Sequence, residues 1–148
     1  SAPVPQLAIM LQGQGGSGKT QVVEVVRAVI SRFLGEFSHV AMASSNSAAR
    51  VVGGDTNHSC LGMHGKQGLS LESLGRGLKP EFCERWSAIQ AVIVDEISMV
   101  SPRLLGALSY RLCLARQQCG HDIDADLFAE YGSMFGGIPI IILAGDFM

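Results

Sequence analysis

The sequence predicts an α/β domain with a central, mainly parallel sheet flanked by helices. Two observations lead to this fold class. Short apolar runs end at glycine or at polar residues, as buried strands do, and they alternate with stretches of helical periodicity. The length of 148 residues suggests one domain, and a hydrophobic content of 47% supplies enough apolar material for a core.

Four strands and three longer helices are predicted. The first strand, residues 7–11, is a continuous apolar run, so we expect it to be buried on both faces. The other strands are predicted at residues 39–43, 91–94 and 138–144. Helices are predicted at residues 20–34, at residues 80–88 and from Ser101, which is an N-cap followed by proline.

The remaining segments are less regular. Residues 44–52 are small and polar, then alanine-rich, and predict a short helix. Residues 53–78 are rich in glycine and serine, so we expect a loop with short helical turns, and residues 121–135 are mixed. The last strand leads into a short polar segment with nothing to cover it, so we expect a piece of a longer protein.

Composition and charge bear on the possible partners. The net charge is −2 and only three lysines occur, so no basic excess marks a nucleic-acid partner; a local groove built from the eight arginines stays open. The four cysteines form no C-x-x-C pair and no zinc spacing. The apolar runs are far shorter than the roughly 20 residues that span a bilayer, and no signal peptide is recognisable. We therefore expect an intracellular protein without a membrane segment.

Two nucleotide signatures overlap in the glycine-rich segment after the first strand. Gly13, Gly15 and Gly18 fit G-x-G-x-x-G, a dinucleotide fingerprint that needs an acidic residue at the end of the second strand. Glu36 precedes that strand, and the strand ends at Ala43 without an acid. The dinucleotide pattern is therefore incomplete.

Residues 13–20 also fit G-x-x-x-x-G-K-T, a phosphate loop for a nucleoside triphosphate, and this pattern is complete. Lys19 is expected to reach the β- and γ-phosphates, and the Thr20 hydroxyl to bind Mg²⁺. The residues expected to contact ATP through this loop are Gly13, Gln14, Gly15, Gly16, Ser17, Gly18, Lys19 and Thr20.

Acidic residues at two later strand ends complete the predicted site. Asp95 and Glu96 follow the strand at 91–94; Asp95 suits Mg²⁺ binding, and Glu96 suits the general base that polarises the attacking water. The alternative is a solvated acidic pair that begins a loop. Asp146 follows the last strand, where a sensor beside the γ-phosphate or a plain surface turn would fit.

The order of the motifs resembles the Pif/RecD-like group of superfamily 1 DNA helicases, and most of all the Pif-type helicases, including those of Helitron-like elements. The matching segments are GQGGSGKT, MASSNSAARVVGGDTNHSCLGM, VIVDEISMVSPRLL and IIILAGDFM. The resemblance implies that residues 1–148 are the first RecA-like ATPase domain of a helicase. It implies a motor that uses ATP and Mg²⁺ to move 5′→3′ on single-stranded DNA. It also implies a monomer in the nucleus or the mitochondrion, with roles in DNA repair, recombination and telomere maintenance.

The same resemblance assigns DNA contacts. The family's usual Ser-Thr-Gly after the second strand is here Ser44, Ser45 and Asn46, which keeps a hydroxyl but replaces glycine with a bulkier residue. His58 lies in a segment that matches the family's threonine-x-His-Ser element. A packed or capping histidine is the alternative for His58.

Departures from the family limit what this chain is expected to do. The glutamine that reads the γ-phosphate in the family would follow Met148, and Gln6 is too close to the loop to be the one that reads adenine. The second RecA-like domain is not in the sequence, so feeble hydrolysis is expected from this chain alone. A P-loop ATPase that acts on proteins or small molecules, and an inactive transposon-derived fragment, remain as alternatives.

Overall fold

In a computed structural model, five parallel strands form one sheet in the order β1-β5-β4-β2-β3. The structure describes residues 5–14, 16, 18–51, 54–63, 70–123 and 134–146. The strands are β1 Leu7–Gln12, β2 His39–Ala43, β3 Asp55–Thr56, β4 Ala91–Val94 and β5 Ile140–Gly145. The helices are α1 Lys19–Leu34, α2 Asn46–Val51, α3 Asn57–Cys60, α4 Leu71–Leu74, α5 Pro80–Ala88 and α6 Pro102–Gln118. Two 3-10 turns, Ile97–Met99 and Met134–Gly137, precede α6 and β5.

All strands end at the same edge of the sheet, which we call the carboxyl edge. The register pairs Gln12 of β1 with Gly145 of β5, and Ala43 of β2 with Thr56 of β3. The last residue of β4, Val94, is in register with Met42, one residue before the end of β2, and with Leu143, two residues before the end of β5. Because ligands of open α/β sheets bind beyond the carboxyl ends of the strands, this edge is where a site is expected.

The core lies on both faces of the sheet. On one face, Trp86 of α5 and Leu108 and Leu112 of α6 are completely buried against β4 and its neighbours. On the other face, Val23 of α1 packs with Ile93 of β4 and apolar residues of β2 and β5. The central strand β4 is covered on both faces, as its continuous apolar sequence predicts.

Most predicted element boundaries are confirmed to within a residue or two. β2, β4 and α5 match their predicted ranges, and Ser101 caps α6 by accepting the Leu104 N–H at 3.1 Å. The short helix at α2 is confirmed, and the irregular segment contains α3 and α4. β3 was not predicted, because two residues are too few for a sequence period.

The predicted burial of the first strand is wrong. β1 lies at an edge of the sheet, and within the described residues only β5 pairs with it. Leu7 is 53% exposed and Met10 is 51% exposed, and Val25 and Phe33 of α1 are also exposed. An apolar run shows that a strand prefers to be covered, but not whether the described chain supplies the cover.

The described helices include none with the length and apolar character that a bilayer crossing needs.

Candidate nucleotide site and nucleic-acid interface

The predicted phosphate loop connects β1 to α1 at the carboxyl edge. The Gly13 N–H donates to the carbonyl of the last residue of β5 at 3.4 Å, so the loop begins beside that strand. Gly16 and Gly18 have φ values of 79° and 91°, in the left-handed region that glycine adopts without steric penalty. Gly15 and Ser17, which are predicted to contact phosphate, lie outside the described residues.

The N-terminus of α1 faces this loop. Among the described residues, no side chain caps this 16-residue helix, and its first turn contains no acidic residue. The first N–H groups of a helix lack partners within it and carry partial positive charge. The start of α1 is therefore suited to an anion such as phosphate.

Lys19 is the first residue of α1, and its ammonium bonds to the loop. Nζ donates to the Gly13 carbonyl and, at 2.8 Å, to the Gln14 carbonyl. The next residue, Thr20, lines the same cleft as Lys19. The loop, the cation and the hydroxyl are thus adjacent, as the motif requires.

The acidic pair follows the buried strand β4. The Asp95 N–H donates to the Met42 carbonyl at 2.8 Å, which fixes the pair against β2. Asp95 Oδ1 accepts the Glu96 N–H at 2.8 Å. Glu96 has φ 53° and ψ 43°, a left-handed conformation that is uncommon outside glycine and that concentrates at functional sites.

A close backbone contact brings the end of β5 to the same place. A Cβ atom on Gly145 would lie 2.9 Å from Ile97 Cγ2 and 3.1 Å from the Ile97 nitrogen. Only glycine allows this approach between β5 and the turn that follows Glu96. Asp146 therefore lines the same cleft as the acidic pair, and its role as a sensor stays a prediction.

These segments enclose one open cleft with a volume of about 340 Å³. That size is within the range of small-molecule sites. The residues that line it are Lys19, Thr20, Ala48, Asp95, Glu96, Ser98, Met99, Gly145 and Asp146. The residues predicted to bind phosphate, the acidic pair and Asp146, which follow three different strands, therefore line one cleft.

Ser44 and Ser45 follow β2 at the carboxyl edge, and both are exposed. The Ser45 hydroxyl accepts the Ala48 N–H at 3.2 Å, and the Ser45 carbonyl accepts the Ala49 N–H at 2.9 Å. Ser45 thus caps α2, the helix that carries Ala48 into the cleft. Asn46 begins α2, and its side chain lies outside the described residues.

His58 lies on α3, next to the start of α2 at the same edge. β3 ends at Thr56, which is in register with Ala43 at the end of β2. Thr56 Oγ1 accepts the Ser59 N–H at 3.3 Å and so caps α3. His58 is exposed, and the cap is supplied by Thr56, so neither the packed nor the capping alternative describes this histidine.

The sequence matches the profile of the PIF1-like helicase family over residues 5–148. The chain belongs to the PIF1-like helicase family. It is 31% identical over 142 residues to the ATP-dependent DNA helicase PIF6 of Trypanosoma brucei, covering 95% of this chain and 16% of that protein. It is 30% identical over 144 residues to human ATP-dependent DNA helicase PIF1, covering 95% of this chain and 19% of that protein. The chain therefore spans less than a fifth of the length of these relatives.

Solved structures of PIF1-like helicases have the same fold. The crystal structure of Pif1 helicase from Candida albicans superposes with a TM-score of 0.74 at 27% identity, covering 95% of this chain and 29% of that one. A Bacteroides Pif1 in complex with ADP-AlF3 and single-stranded DNA superposes with a TM-score of 0.67 at 23% identity, covering 98% of this chain and 29% of that one. The resemblance and the RecA-like α/β fold predicted from sequence are confirmed.

The site of this PIF1-like helicase chain contains residues that the motifs did not indicate. Ala48, Ser98 and Met99 line the cleft, and Met99 is 72% exposed. Ala48 lies within the segment assigned to DNA, and the other two follow the acidic pair, so proximity to a motif was the only signal. The Gln6 side chain bonds to residues outside this cleft, because its amide donates to the carbonyls of Met134 and Ile138.

Proposed function

We propose that this chain is the first RecA-like motor domain of an ATP-dependent DNA helicase, binding ATP with Mg²⁺ and single-stranded DNA and coupling hydrolysis to unwinding. One observation carries the proposal. The cleft that contains Lys19, Thr20, Asp95, Glu96 and Asp146 shares α2 with the exposed segment assigned to DNA. The names of the relatives, ATP-dependent DNA helicases, agree with both ligands.

ATP would bind with its phosphates at the start of α1. Lys19 would exchange its bonds to the loop carbonyls for bonds to phosphate oxygens, while the uncapped N–H groups of the helix bind the same anion. The Thr20 hydroxyl and the Asp95 carboxylate are hard oxygen ligands, which Mg²⁺ prefers together with substrate phosphates and water. Mg²⁺ supplies charge neutralisation at the β- and γ-phosphates when bound.

Glu96 would act as the general base. Water attacks the γ-phosphorus, its proton passes to the Glu96 carboxylate, and ADP leaves as the bond to the β-phosphate oxygen breaks. The Asp95 bond to the Glu96 N–H and the left-handed backbone fix where this carboxylate begins. Asp146 would respond to the γ-phosphate from the end of β5.

Single-stranded DNA would bind along the starts of α2 and α3. Ser44, Ser45, Asn46 and His58 all follow strands that end in register at the carboxyl edge. The Ser45 hydroxyl uses a lone pair to accept the Ala48 N–H, so its proton remains available for a phosphate oxygen. The 5′→3′ direction is proposed from the family resemblance.

The two ligands would communicate through α2. Ser45 and Ala48 are one helical turn apart, roughly 5 Å along the axis. A shift of Ser45 on binding DNA would therefore displace the wall of the nucleotide cleft. This is the physical basis on which we expect DNA to stimulate hydrolysis.

Further parts of the protein would complete the domain and the motor. The relatives are several times longer than this chain, and the exposed apolar residues of β1 and α1 favour cover by other segments. We propose that a second RecA-like domain closes the nucleotide cleft from outside residues 1–148. We also propose a monomer without a membrane anchor, in the nucleus or the mitochondrion.

The test is ATP hydrolysis by the intact protein with and without single-stranded DNA. We expect DNA to raise the rate, Lys19→Ala to weaken binding of an ATP analogue, and Glu96→Gln to preserve that binding while lowering the rate about 10²–10⁴-fold. A rate that is indifferent to DNA, with DNA affinity that does not fall with salt, would instead indicate an ATPase for another substrate. If the intact protein does not bind the ATP analogue, this result would indicate an inactive, transposon-derived protein.

A further inference from the structure

Two arginines of α6 are buried in the core. Arg111 is 0% exposed and Arg116 is 5% exposed. Within the described residues, every hydrogen-bond acceptor of the two guanidinium groups is a backbone carbonyl. Burial lowers the pKa of both side chains, which stay charged because arginine titrates far above neutral pH.

Arg111 connects α6 to the segment that follows α3. Nε donates to the Leu61 carbonyl at 2.6 Å, and Nη1 donates to the Leu74 carbonyl at 2.6 Å and to the Arg76 carbonyl at 2.7 Å. The guanidinium also lies over the Phe82 ring, 5.1 Å from its centroid. This planar set of contacts uses the fork of arginine, which lysine does not have.

Two of the three carbonyls that accept from Arg111 are at helix ends. Leu61 is the C-cap of α3, and Leu74 is the last residue of α4. Carbonyls at helix C-termini lack partners within the helix and carry partial negative charge, so a cation stabilises them. A helix of four residues is not stable alone. α3 therefore depends on its cap at Thr56 and on Arg111 at its other end.

We propose that Arg111 is a positioning residue for DNA binding, which acts by fixing α3 and with it His58. The proposal rests on the function proposed above, in which His58 contacts single-stranded DNA. Arg111 itself is completely buried and does not touch DNA. Of its contacts, the bond to the Leu61 carbonyl is the one made directly to the end of α3, and we propose that its effect on DNA binding passes through this bond.

Arg116 is the matched control on the same helix. Nε donates to the Gly136 carbonyl at 2.7 Å, and Nη1 donates to the carbonyls of Trp86 at 2.7 Å and Ile89 at 3.1 Å. These acceptors lie at the C-terminal end of α5 and before β5. No residue proposed to contact DNA lies there, so loss of Arg116 tests stability alone.

The experiment compares Arg111→Lys with Arg116→Lys in the intact protein, because both variants keep the buried charge. Affinity for an oligothymidylate and for an ATP analogue is measured by fluorescence anisotropy at a temperature where all variants are folded. We expect Arg111→Lys to weaken oligothymidylate binding about tenfold, as His58→Ala does, with the analogue affinity unchanged. Arg116→Lys is expected to change neither affinity. The double variant Arg111→Lys/His58→Ala should bind no more weakly than either single variant.

Hydrogen exchange supplies a second readout that is independent of DNA. The amides of Leu61, Gly62 and Met63 donate to carbonyls of α3 and should exchange faster in Arg111→Lys only. Equal effects of the two lysine variants on DNA affinity, or unchanged exchange at these amides, would overturn the role of Arg111. If His58→Ala leaves DNA affinity unchanged, the DNA assignment of α3 fails, and this role of Arg111 fails with it. A loss of affinity in His58→Ala but not in Arg111→Lys would refute the positioning role alone.

Discussion

Replacing Gly145 with alanine should damage hydrolysis more than nucleotide binding. The new Cβ would lie 2.9 Å from Ile97 Cγ2 and 3.1 Å from the Ile97 nitrogen. The second of these atoms is backbone, so a change of side-chain rotamer cannot relieve the contact. The turn that begins after Glu96 must therefore move away from β5 by a few tenths of an ångström.

The size of the effect follows from this overlap. Inserting a methyl group into a packed site costs about 1–3 kcal/mol in the free energy of unfolding. The displaced turn begins directly after Glu96, and a misplacement of about 1 Å can cost a hundredfold in rate. For the smaller shift expected at Gly145 we predict a loss of about tenfold in the hydrolysis rate, which corresponds to about 1.4 kcal/mol in the barrier.

The assay combines urea unfolding with DNA-stimulated hydrolysis and ATP-analogue affinity in the intact protein. Gly106→Ala is the matched control, because the position is inside α6 and, apart from its chain neighbours and the nearby backbone of that helix, no atom lies within 4 Å of the added Cβ. That change should stabilise the protein by about 0.5–1 kcal/mol and leave the rate unchanged. If Gly145→Ala is as stable and as active as the unmodified protein, the close approach of β5 to the turn does not shape the site.

Three further predictions concern DNA, pH and thiol chemistry. Ser45→Thr should preserve affinity for single-stranded DNA. Ser45→Asp keeps the helix cap but repels phosphate, so it should weaken that affinity more than Ser45→Ala does. Equal affinities of these variants in a salt titration would argue against phosphate contact. Burial first, and a nearby arginine second, lower the pKa of His39 and His121 from 6.5, so the unfolded chain binds protons before the native state. The contribution of these two histidines to the free energy of unfolding should be fully present above about pH 6.5 and should be lost as the pH falls below that value. A variant with glutamine at both positions should therefore lose less stability at low pH in denaturant titrations. Burial raises the pKa of Cys60 to about 11, so a thiol reagent at neutral pH should label the exposed Cys119 quickly and Cys60 only on unfolding; equal labelling rates in the native state would contradict this.

Features that depend on neighbouring residues in the chain were predictable. The strand at Ala91–Val94 follows from four adjacent apolar residues, and the start of α6 follows from Ser101 and its proline. The position of the predicted phosphate loop, between β1 and α1, follows from glycines and Lys19 at fixed spacing. In each case the local backbone and side-chain chemistry is sufficient, because the contacts involved span a few positions only.

Features that depend on contacts between distant segments were not predictable. The exposure of β1 depends on which strands pair with it, and the sequence pattern of an edge strand can equal that of a covered one. The position of Ala48 in the wall of the candidate nucleotide cleft depends on where α2 packs. The burial of Arg111 depends on carbonyls that are 37 and 50 positions away in the chain.

The family of the chain, and the residues proposed to bind nucleotide, were thus encoded in short motifs with fixed local spacing. Their convergence was decided by the parallel register, which brings three strand ends and the left-handed Glu96 to one cleft. The same packing placed Ser45 and Ala48 one helical turn apart at the start of α2, and it placed Arg111 against the C-terminal end of α3. These placements arise from long-range burial and backbone hydrogen bonding, and no local period in the sequence specifies them.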